Sequence, residues 1–452
     1  MGGEWRVRKI GTFAKAKGGK RLPKSIALQT EKNNHPYIRV VDFTDGKIHQ
    51  DSLLYVPNDA ISAIQRYRVA ANDVIISIVG TIGAIAQVPQ ELHGANLTEN
   101  AAKLYFTEED VDASYVAYYL KSSLGQHEIT INTVGSTQSK LPLYGIENIN
   151  VALPPLKEQQ AIACVLGSLD DKIELNRKMN QTLEEMARAI FKSWFVDFDP
   201  VHAKAAVRRE HPNWTNEQVS RAACPKLKTE IAELFPDAFE DSELGEIPKG
   251  WEVKPLPELI EVNPTRTLRK GEFAPYLDMA NMPTRGHSPD TVTERPFGSG
   301  MRFVNGDTLV ARITPCLENG KTAFVDFLTD GQVGWGSTEY IVLRPKPPLP
   351  VEFAYCLARS DGFRDFAIQR MTGSSGRQRV PAELLAHFRL VDADRSVTEL
   401  FGRLVQPLFA RAGAATRESR ILAALRDALL PKLISGELRV KDAEKFVERV
   451  AI

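Results

Sequence analysis

Two long segments of the chain carry apolar residues at alternating spacings of four and three, the pattern of an α-helix that packs along another helix. The first segment follows Pro154-Pro155, which a helix tolerates only at its start, and it extends to Asp197. At about 40 residues such a helix is roughly 60 Å long. The pattern predicts a buried helix interface formed by Ile162, Leu166, Leu169, Ile173, Asn176, Asn180, Leu183 and Ile190.

The second segment extends from about Ser396 to Ile434 and repeats this pattern. Its Pro407 is expected to kink the helix near its first third. The predicted interface of the second helix consists of Leu404, Leu408, Leu422, Leu425 and Leu429.

Both predicted helices are long for the domains that precede them, so we expect them to pair as an antiparallel coiled coil with one domain at each end. The alternative is that each helix buries its apolar face on its own domain. Asn176 and Asn180 would lie inside the pair, where polar residues cost stability but can fix the register of the two helices.

Shorter patterns precede each long helix. Apolar, β-branched runs at Asp73–Gly80 and Asp307–Ile313 predict strands. The segments Ser114–Leu124 and Val351–Phe363 have helical periodicity. Strands and helices do not alternate regularly, so the α+β class is favoured over a doubly wound sheet.

The two halves of the chain repeat each other at an offset close to 239 residues. Tyr37 corresponds to Tyr276, Thr98-Glu99 to Thr338-Glu339, and the loop at 135–142 to the loop at 373–381. Each match is weak by itself, but the shared order and near-constant offset are hard to obtain by chance. The patterns predict two pseudo-repeated α/β domains (1–153 and 246–392), two long helices (154–197 and 393–436), a connector (198–245) and a C-terminal tail (437–452).

Charge is distributed unevenly although the formal net charge is zero. Residues 1–40 carry ten Lys or Arg against two acids, and residues 229–246 carry seven acids and no base. Such segregation allows a basic surface that contacts phosphates and an acidic segment away from it. The candidate phosphate contacts are Lys15, Lys17, Lys20, Arg21, Lys24, Arg266, Arg269, Lys270 and Arg285.

The repeated Gly-Ser loops supply candidates for base recognition, because Gln can bond adenine and Arg can bond guanine through two hydrogen bonds. These candidates are Gln138, Ser139, Lys140, Arg377, Gln378 and Arg379. A solvated turn with no role in recognition would have the same composition.

Motifs of enzymes are present only in broken form. Gly320-Lys321-Thr322 lacks the preceding glycine of a phosphate-binding loop, and Asn34-His35-Pro36-Tyr37 has His where an adenine methyltransferase requires Pro. The four cysteines lie far apart and predict neither a disulfide nor a metal site. We therefore expect a protein without catalytic residues, metal or cofactor, and, without a long apolar segment, a cytoplasmic one.

Five segments resemble a known family. They are Leu153-Pro154-Pro155-Leu156-Lys157-Glu158-Gln159-Gln160-Ala161-Ile162-Ala163, Leu169-Asp170-Asp171-Lys172-Ile173-Glu174-Leu175-Asn176-Arg177, Phe191-Lys192-Ser193-Trp194-Phe195-Val196-Asp197-Phe198-Asp199-Pro200, Leu244-Gly245-Glu246-Ile247-Pro248-Lys249-Gly250-Trp251 and Leu430-Pro431-Lys432-Leu433-Ile434-Ser435-Gly436-Glu437-Leu438. Together they resemble the conserved regions of the specificity subunits of type I restriction–modification enzymes, and the resemblance covers essentially the whole chain.

This resemblance implies two target recognition domains that bind the two halves of a bipartite DNA sequence, with the paired helices setting the spacing. It also implies docking of two modification (methyltransferase) subunits and of restriction (endonuclease) subunits, which carry out catalysis. The second helix departs from the family pattern, because Leu390-Val391-Asp392-Ala393-Asp394-Arg395 lacks the Pro-Pro and Glu-Gln entry of the first. That difference puts symmetric docking of the partners in question.

A protein-binding adaptor that holds protein partners without recognising DNA is the alternative function. The repeat fits both functions, whereas the basic loops and the family resemblance favour DNA. DNA binding also requires an affinity that falls steeply as salt rises.

Overall fold

The computed structural model describes residues 5–443 apart from 44, 45, 136–138, 290 and 375. Gln138, one of the predicted base contacts, therefore lies outside the described residues. The chain forms two compact units, one comprising Met1–Ile173 with Ile421–Ile452 and the other comprising Glu174–Arg420. The boundaries between the units fall inside the two long helices.

The first unit combines short strands with short helices. Its elements are β1 (Arg6–Lys9), β2 (Ala14–Gly18), β3 (Pro36–Ile38), β4 (Leu54–Tyr55), α1 (Ile61–Ile64), β5 (Val74–Ser77), β6 (Ile85–Gln87), β7 (Asn96–Leu97), β8 (Ala101–Phe106), α2 (Ala113–Lys121), α3 (Ser123–Ile131), α4 (Leu143–Asn148), β9 (Asn150–Leu153), the start of α5 (Leu156–Phe195) and the end of α12 (Arg395–Ile434).

The strands of the first unit form a four-stranded antiparallel sheet in the order β2-β8-β5-β6 and a three-stranded sheet in the order β4-β3-β7. In the smaller sheet β3 is antiparallel to β4 and parallel to β7. A separate antiparallel ribbon joins β1 to β9.

The second unit has a similar composition. Its elements are the remainder of α5, α6 (Asp199–Glu210), α7 (Asn216–Ala223), α8 (Thr229–Ala232), β10 (Phe239–Ser242), β11 (Gly245–Pro248), β12 (Glu252–Pro255), α9 (Leu256–Leu259), β13 (Ile260–Val262), β14 (Phe273–Leu277), β15 (Thr293–Pro296), β16 (Met301–Phe303), β17 (Thr308–Ala311), β18 (Thr322–Phe324), β19 (Gly334–Gly336), β20 (Tyr340–Pro345), α10 (Glu352–Ala358), α11 (Asp361–Gln369), β21 (Arg389–Asp392) and most of α12 (Arg395–Ile434).

The strand orders confirm the internal repeat. The order β13-β20-β17-β18 corresponds to β2-β8-β5-β6, and the order β15-β14-β19, with β16 added at its edge, corresponds to β4-β3-β7. The ribbon of β12 with β21 corresponds to that of β1 with β9. Tyr37 and Tyr276 occupy the same place, because each pairs with the parallel strand of its smaller sheet. The predicted α+β class with two repeated domains is confirmed.

The strand register corrects one detail of the repeat. Leu104 lies opposite Val74, and Leu343 lies opposite Thr308, which aligns β8 with β20 at an offset of 239. At that offset Glu339 corresponds to Asn100, so the predicted match of Glu99 with Glu339 is wrong by one residue. The two Thr-Glu pairs are similar in sequence but occupy neighbouring positions in their turns.

The helix predicted over Ser114–Leu124 is two helices in the structure. Helix α2 begins at its N-cap Asp112, whose side chain accepts from the Tyr115 N–H, and Ser122 then caps α3. The segment Val351–Phe363 is broken in the same way, with Ser360 capping α11. A serine that accepts the N–H of the residue three positions later starts a new helix, and this ends the preceding one although the apolar period continues.

Helices α5 and α12 each have 40 residues, and α12 continues through Pro407; the kink at Pro407 stays a prediction. In the first unit Ile162, Leu166 and Leu169 share a core with Leu422 and Leu429. In the second unit Phe191 and Phe195 pack against Phe401, with ring centroids 6.1 and 5.1 Å apart. Each buried phenylalanine stabilises the fold by about 2–3 kcal/mol.

One predicted interface residue is misplaced. The Leu404 side chain is 36% exposed, whereas its neighbour Val405 is fully buried. The prediction assumed that one heptad pattern continues through the whole helix. The buried residues here are Phe401, Val405, Phe409 and Ala412, and this spacing leaves Leu404 outside the buried face. Here α12 contacts α10 as well as α5, for example where Phe409 lies 5.5 Å from Tyr355, and a helix with two neighbours buries a wider face than a coiled-coil helix does.

The remaining predicted interface positions are buried or half-buried. Ile162, Leu166, Leu169, Asn176, Leu422 and Leu429 are buried, and Ile173, Asn180, Leu183, Ile190, Leu408 and Leu425 are half-buried. Within the described residues, no helix is both long enough and apolar enough to cross a membrane.

Candidate nucleic-acid interface and helix pair

Each domain presents a short hairpin at the position of the predicted recognition loop. In the first domain the backbone of Lys140 pairs with Val134 and Val79, and in the second the backbone of Arg379 pairs with Thr372 and Ile313. The two residues therefore occupy equivalent positions, exactly as far apart as the repeat offset of 239 would place them. Ser139, Lys140 and Arg377 are exposed, and Gln378 is half-buried.

The side chain of Arg379 already has a partner in the second domain. Its Nε donates to both carboxylate oxygens of Glu339, at 2.8 and 2.9 Å. The Gln378 carbonyl accepts from the Thr314 N–H at 3.0 Å, which fixes the hairpin against the segment after β17. Of the predicted candidates in this loop, Arg377 is thus exposed at the surface while Arg379 is held by a carboxylate.

The predicted phosphate contacts of the first domain lie at its surface. Lys15 and Lys17 alternate along β2, with the Lys15 Nζ donating to the Gly11 carbonyl and the Lys17 Nζ 4.6 Å from the centre of the Tyr105 ring. The Lys20 Nζ lies 6.0 Å from the centre of the Tyr67 ring. Arg21 and Lys24 are exposed, and Arg21 forms a loose ion pair at 3.7 Å with Glu99.

The second domain places its predicted cations less uniformly. Arg269, Lys270 and Arg285 are exposed. Arg266, by contrast, binds the fully buried Asp307 at 3.2 Å, so its guanidinium belongs to an interior ion pair and is removed from the candidate phosphate contacts. Burial raises the pKa of the Asp307 carboxyl. The hydrogen bonds from Arg266, Arg344 and the Val304 N–H act in the opposite direction and offset part of the effect of burial.

Sequence reasoning missed Arg312, which follows β17 directly. Its N–H donates to the Glu339 carbonyl and its own carbonyl accepts from the Val380 N–H, both at 2.9 Å. Its buried Nε has no hydrogen-bond partner among the described residues. The sequence did contain a signal for this residue, because a cation at the end of an apolar strand indicates a function other than packing. Ile78 occupies the equivalent position in the first domain.

Sequence reasoning also missed a basic cavity between the two sheets of the first domain. A cavity of about 200 Å³ is lined by Lys17, Arg66, Tyr67 and Lys103 together with apolar side chains. Lys103 forms an ion pair with Asp73 at 2.9 Å, while Lys17 and Arg66 are exposed. Arg66 escaped notice because nothing in its local sequence marks it as part of a basic cluster.

Polar residues join the two long helices within the second unit. The Asn176 amide donates to the Glu418 carboxylate at 2.9 Å and to the Ala415 carbonyl at 3.4 Å. The Asn180 amide donates to the Thr416 hydroxyl at 2.9 Å. Along α5 from Asn176 to Asn180 and on to Phe191, the partners in α12 run backwards from Glu418 to Thr416 and Phe401, so the helices are antiparallel. Asn176 and Ala415 are repeat equivalents, 239 residues apart.

A buried ion pair joins the same helices within the first unit. One Asp170 oxygen accepts from Arg426 at 2.7 Å, and the other accepts from the Tyr118 hydroxyl at 2.8 Å. Burial alone would raise the pKa of the Asp170 carboxyl, but the hydrogen bonds from Arg426 and Tyr118 outweigh it and lower the pKa. The second unit has a related group in which the Tyr355 hydroxyl donates to Glu184 at 2.8 Å.

Replacing Asp170 with Asn is expected to lower the free energy of unfolding by about 3 kcal/mol at pH 7, because it leaves the cation of Arg426 without its buried partner. Since the folded-state pKa of Asp170 is lowered, its stabilisation is complete at neutral pH and is lost as the pH falls below about 4. Denaturant unfolding of both proteins at pH 7 and at lower pH measures this difference. Asp427→Asn is the matched control: Asp427 contacts the same Arg426 at 2.8 Å but is 64% exposed, so we expect a loss under about 1 kcal/mol.

Comparisons with known proteins agree with this architecture. Residues 2–185 match the family described as the type I restriction modification DNA specificity domain. The HindI specificity subunit of Haemophilus influenzae is 24% identical over 325 residues, which cover 65% of this chain and 70% of that one. The MjaIX specificity subunit of Methanocaldococcus jannaschii is 24% identical over 479 residues, which cover 97% of this chain and 94% of that one.

Among solved structures, a type I restriction–modification S subunit from M. genitalium has the same fold. It superposes with a TM-score of 0.54 at 16% identity and covers 95% of this chain and 96% of that one. The match of fold and the matches of sequence thus concern one class of protein, the DNA-recognition subunits of multisubunit restriction systems. Residues 2–185 thus match a type I DNA specificity domain, and nearly the whole chain is similar to a specificity subunit of a type I restriction–modification enzyme.

Proposed function

We propose that each domain of this specificity subunit recognises one half of a bipartite, asymmetric DNA sequence. The observation that carries this proposal is the pair of equivalent hairpins with different residues. Lys140 in the first domain is replaced by Arg379 in the second, and Asn100 is replaced by Glu339. Two domains of one topology that differ at these equivalent positions suit two half-sites of different sequence.

The two target recognition domains are 1–153 and 246–392, linked by the helices at 154–197 and 393–436 and by the connector at 198–245. Phosphate contacts give affinity without sequence information. They fall to the exposed cations Lys15, Lys17, Lys20, Arg21, Lys24, Arg66, Arg269, Lys270 and Arg285 and to the half-buried Arg312. Base recognition falls to the hairpin residues Ser139, Lys140, Arg377, Gln378 and Arg379 and to Gln138, which lies outside the described residues.

The helices supply surfaces for partner subunits. Leu175 and Met186 on α5 and Leu404 and Ile421 on α12 are apolar and between 36% and 60% exposed, so both helices offer apolar side chains for contacts with a partner. In the second unit an apolar cavity of about 560 Å³ adjoins the end of α5 and is lined by Phe195, among others. These surfaces support docking of modification and restriction subunits, two modification subunits corresponding to the two repeated domains.

Co-expression of the chain with its modification subunit is expected to direct adenine methylation to one bipartite sequence, because the two domains bind two half-sites. Expression of either protein alone is expected to leave genomic adenines unmodified. Sequencing that detects modified bases across the genome measures this directly. A single continuous motif would contradict recognition by two domains.

A protein-binding adaptor is distinguished by its response to salt. Binding of the purified complex to target DNA is expected to weaken steeply with salt, by about one power of the salt concentration for each phosphate contact. A complex that assembles with its protein partners but shows no methylation motif would favour the adaptor.

A further inference from the structure

The guanidinium of Arg379 is held along one edge and open along another. Besides the two Nε hydrogen bonds, Nη2 lies 2.8 Å from the Glu339 Oε1, so the edge formed by Nε and Nη2 faces the carboxylate. On the other side, Nη1 donates to the Arg377 carbonyl at 3.3 Å. A guanidinium has five N–H groups. One N–H on Nη1 and one on Nη2 therefore remain, side by side at the end of the side chain.

Both members of this pair lie on fixed backbone. The Arg379 backbone pairs with Thr372 and Ile313, and the Glu339 carbonyl accepts from the Arg312 N–H. The Arg379 side chain is 42% exposed and that of Glu339 is 24% exposed. A long side chain that would otherwise sample many rotamers is thus restrained before any ligand binds, which reduces the entropy cost of binding.

The first domain has no such pair at the equivalent positions, where Asn100 and Lys140 stand. Lysine is a point charge without two parallel donors, and asparagine cannot hold a cation as a carboxylate does. The arginine and its carboxylate are therefore a property of the second domain.

We propose that Glu339 is a positioning residue that presents the free edge of Arg379 to a guanine in the second half-site. Guanine offers the acceptors O6 and N7 side by side in the major groove, which match two parallel N–H donors. A phosphate could accept the same two donors. However, the carboxylate of Glu339 cancels the charge of Arg379, which removes most of the attraction to a phosphate and leaves the geometry that suits a base. This inference rests on the proposed function.

The test uses the complete chain in complex with its modification subunit. The variants Arg379→Gln, Arg379→Lys and Glu339→Gln are mapped by genome-wide methylation and by binding to four duplexes that differ at one base pair. Glu399→Gln is the matched control, because Glu399 also holds an arginine, Arg395, at 2.6 Å on the exposed start of α12.

We expect both Arg379 variants to discriminate less well between G·C and the other base pairs at one position of the second half-site. The expected loss is roughly tenfold to a hundredfold. Glu339→Gln should lose several-fold of the discrimination at the same base pair, and the discrimination at every other position should stay as in the wild type. Glu399→Gln should change nothing. If Arg379→Gln fails to assemble, Arg379→Lys decides, because it keeps a cation beside Glu339 but loses the paired donors.

Three results would overturn the inference. They are a second half-site without a G·C pair, a uniform loss of affinity for all four duplexes, and unchanged discrimination in Arg379→Lys. A wild-type complex without any bipartite motif would instead refute the proposed function. A bipartite motif that ignores both residues would refute this inference alone.

Discussion

Exchange of residues 246–392 for the corresponding domain of another specificity subunit is expected to replace one half of the DNA target and to leave the other half unchanged. The structure makes the exchange feasible because β12 and β21 form an antiparallel ribbon, with Glu252 opposite Asp392. The two ends of the exchanged segment therefore lie side by side, as they do in domains that tolerate transfer. Genome-wide mapping of methylated adenines before and after exchange measures both halves together.

The donor domain must preserve the contacts that α10 makes with the long helices. Phe353 lies 5.0 Å from Phe191 and 6.2 Å from Phe401, measured between ring centres. A donor with a small residue there would leave a cavity that costs about 3–5 kcal/mol, so a donor with an aromatic residue at this position is the appropriate choice. Exchange of residues 1–153 is the reciprocal control and should change only the other half. If either exchange altered both halves, the domains would not act independently.

The long helices are the part of the fold that the sequence predicted most closely. Their apolar residues recur over many turns, so the predicted start near Ser396 and end at Ile434 differ little from the observed Arg395–Ile434. The prediction that Leu404 is buried was wrong because it depends on contacts with other elements and not on the pattern within the helix. Whether a residue between two apolar neighbours faces α5, α10 or solvent depends on which elements surround the helix, and local periodicity does not contain that information.

The candidate interface was less predictable, because charges find partners far away in sequence. Arg266 and Asp307 are 41 residues apart, and so nothing local identifies Arg266 as an interior residue. Arg379 was predicted as a base contact from its loop, whereas its partner Glu339 is 40 residues away and had been matched to the wrong residue of the first domain. Only the observed register of β20 against β17 shows that Glu339 corresponds to Asn100 and not to Glu99.

Addition of seven residues to both long helices is expected to lengthen the spacer between the two half-sites. Duplicating 174–180 in α5 and 409–415 in α12 inserts the new turns at the same level of the pair, since Asn180 contacts Thr416. Seven residues make nearly two full turns, so the buried faces are preserved, and they add about 10.5 Å. At about 3.4 Å per base pair this corresponds to one to three base pairs, depending on the angle between helix and DNA.

Insertion into α5 alone is the contrasting variant, and it is expected to abolish assembly. The hydrogen bond between Asn176 and Glu418 and the ring contact between Phe191 and Phe401 both join α5 to α12 within one unit. Seven extra residues between Asn180 and Phe191 would displace one contact whenever the other formed. Assembly is measured by co-purification with the modification subunit, and the spacer by methylation mapping. If the doubly lengthened chain assembled and kept the original spacer, the helices would not determine it, and the separation of the half-sites would have to be set by the partner subunits.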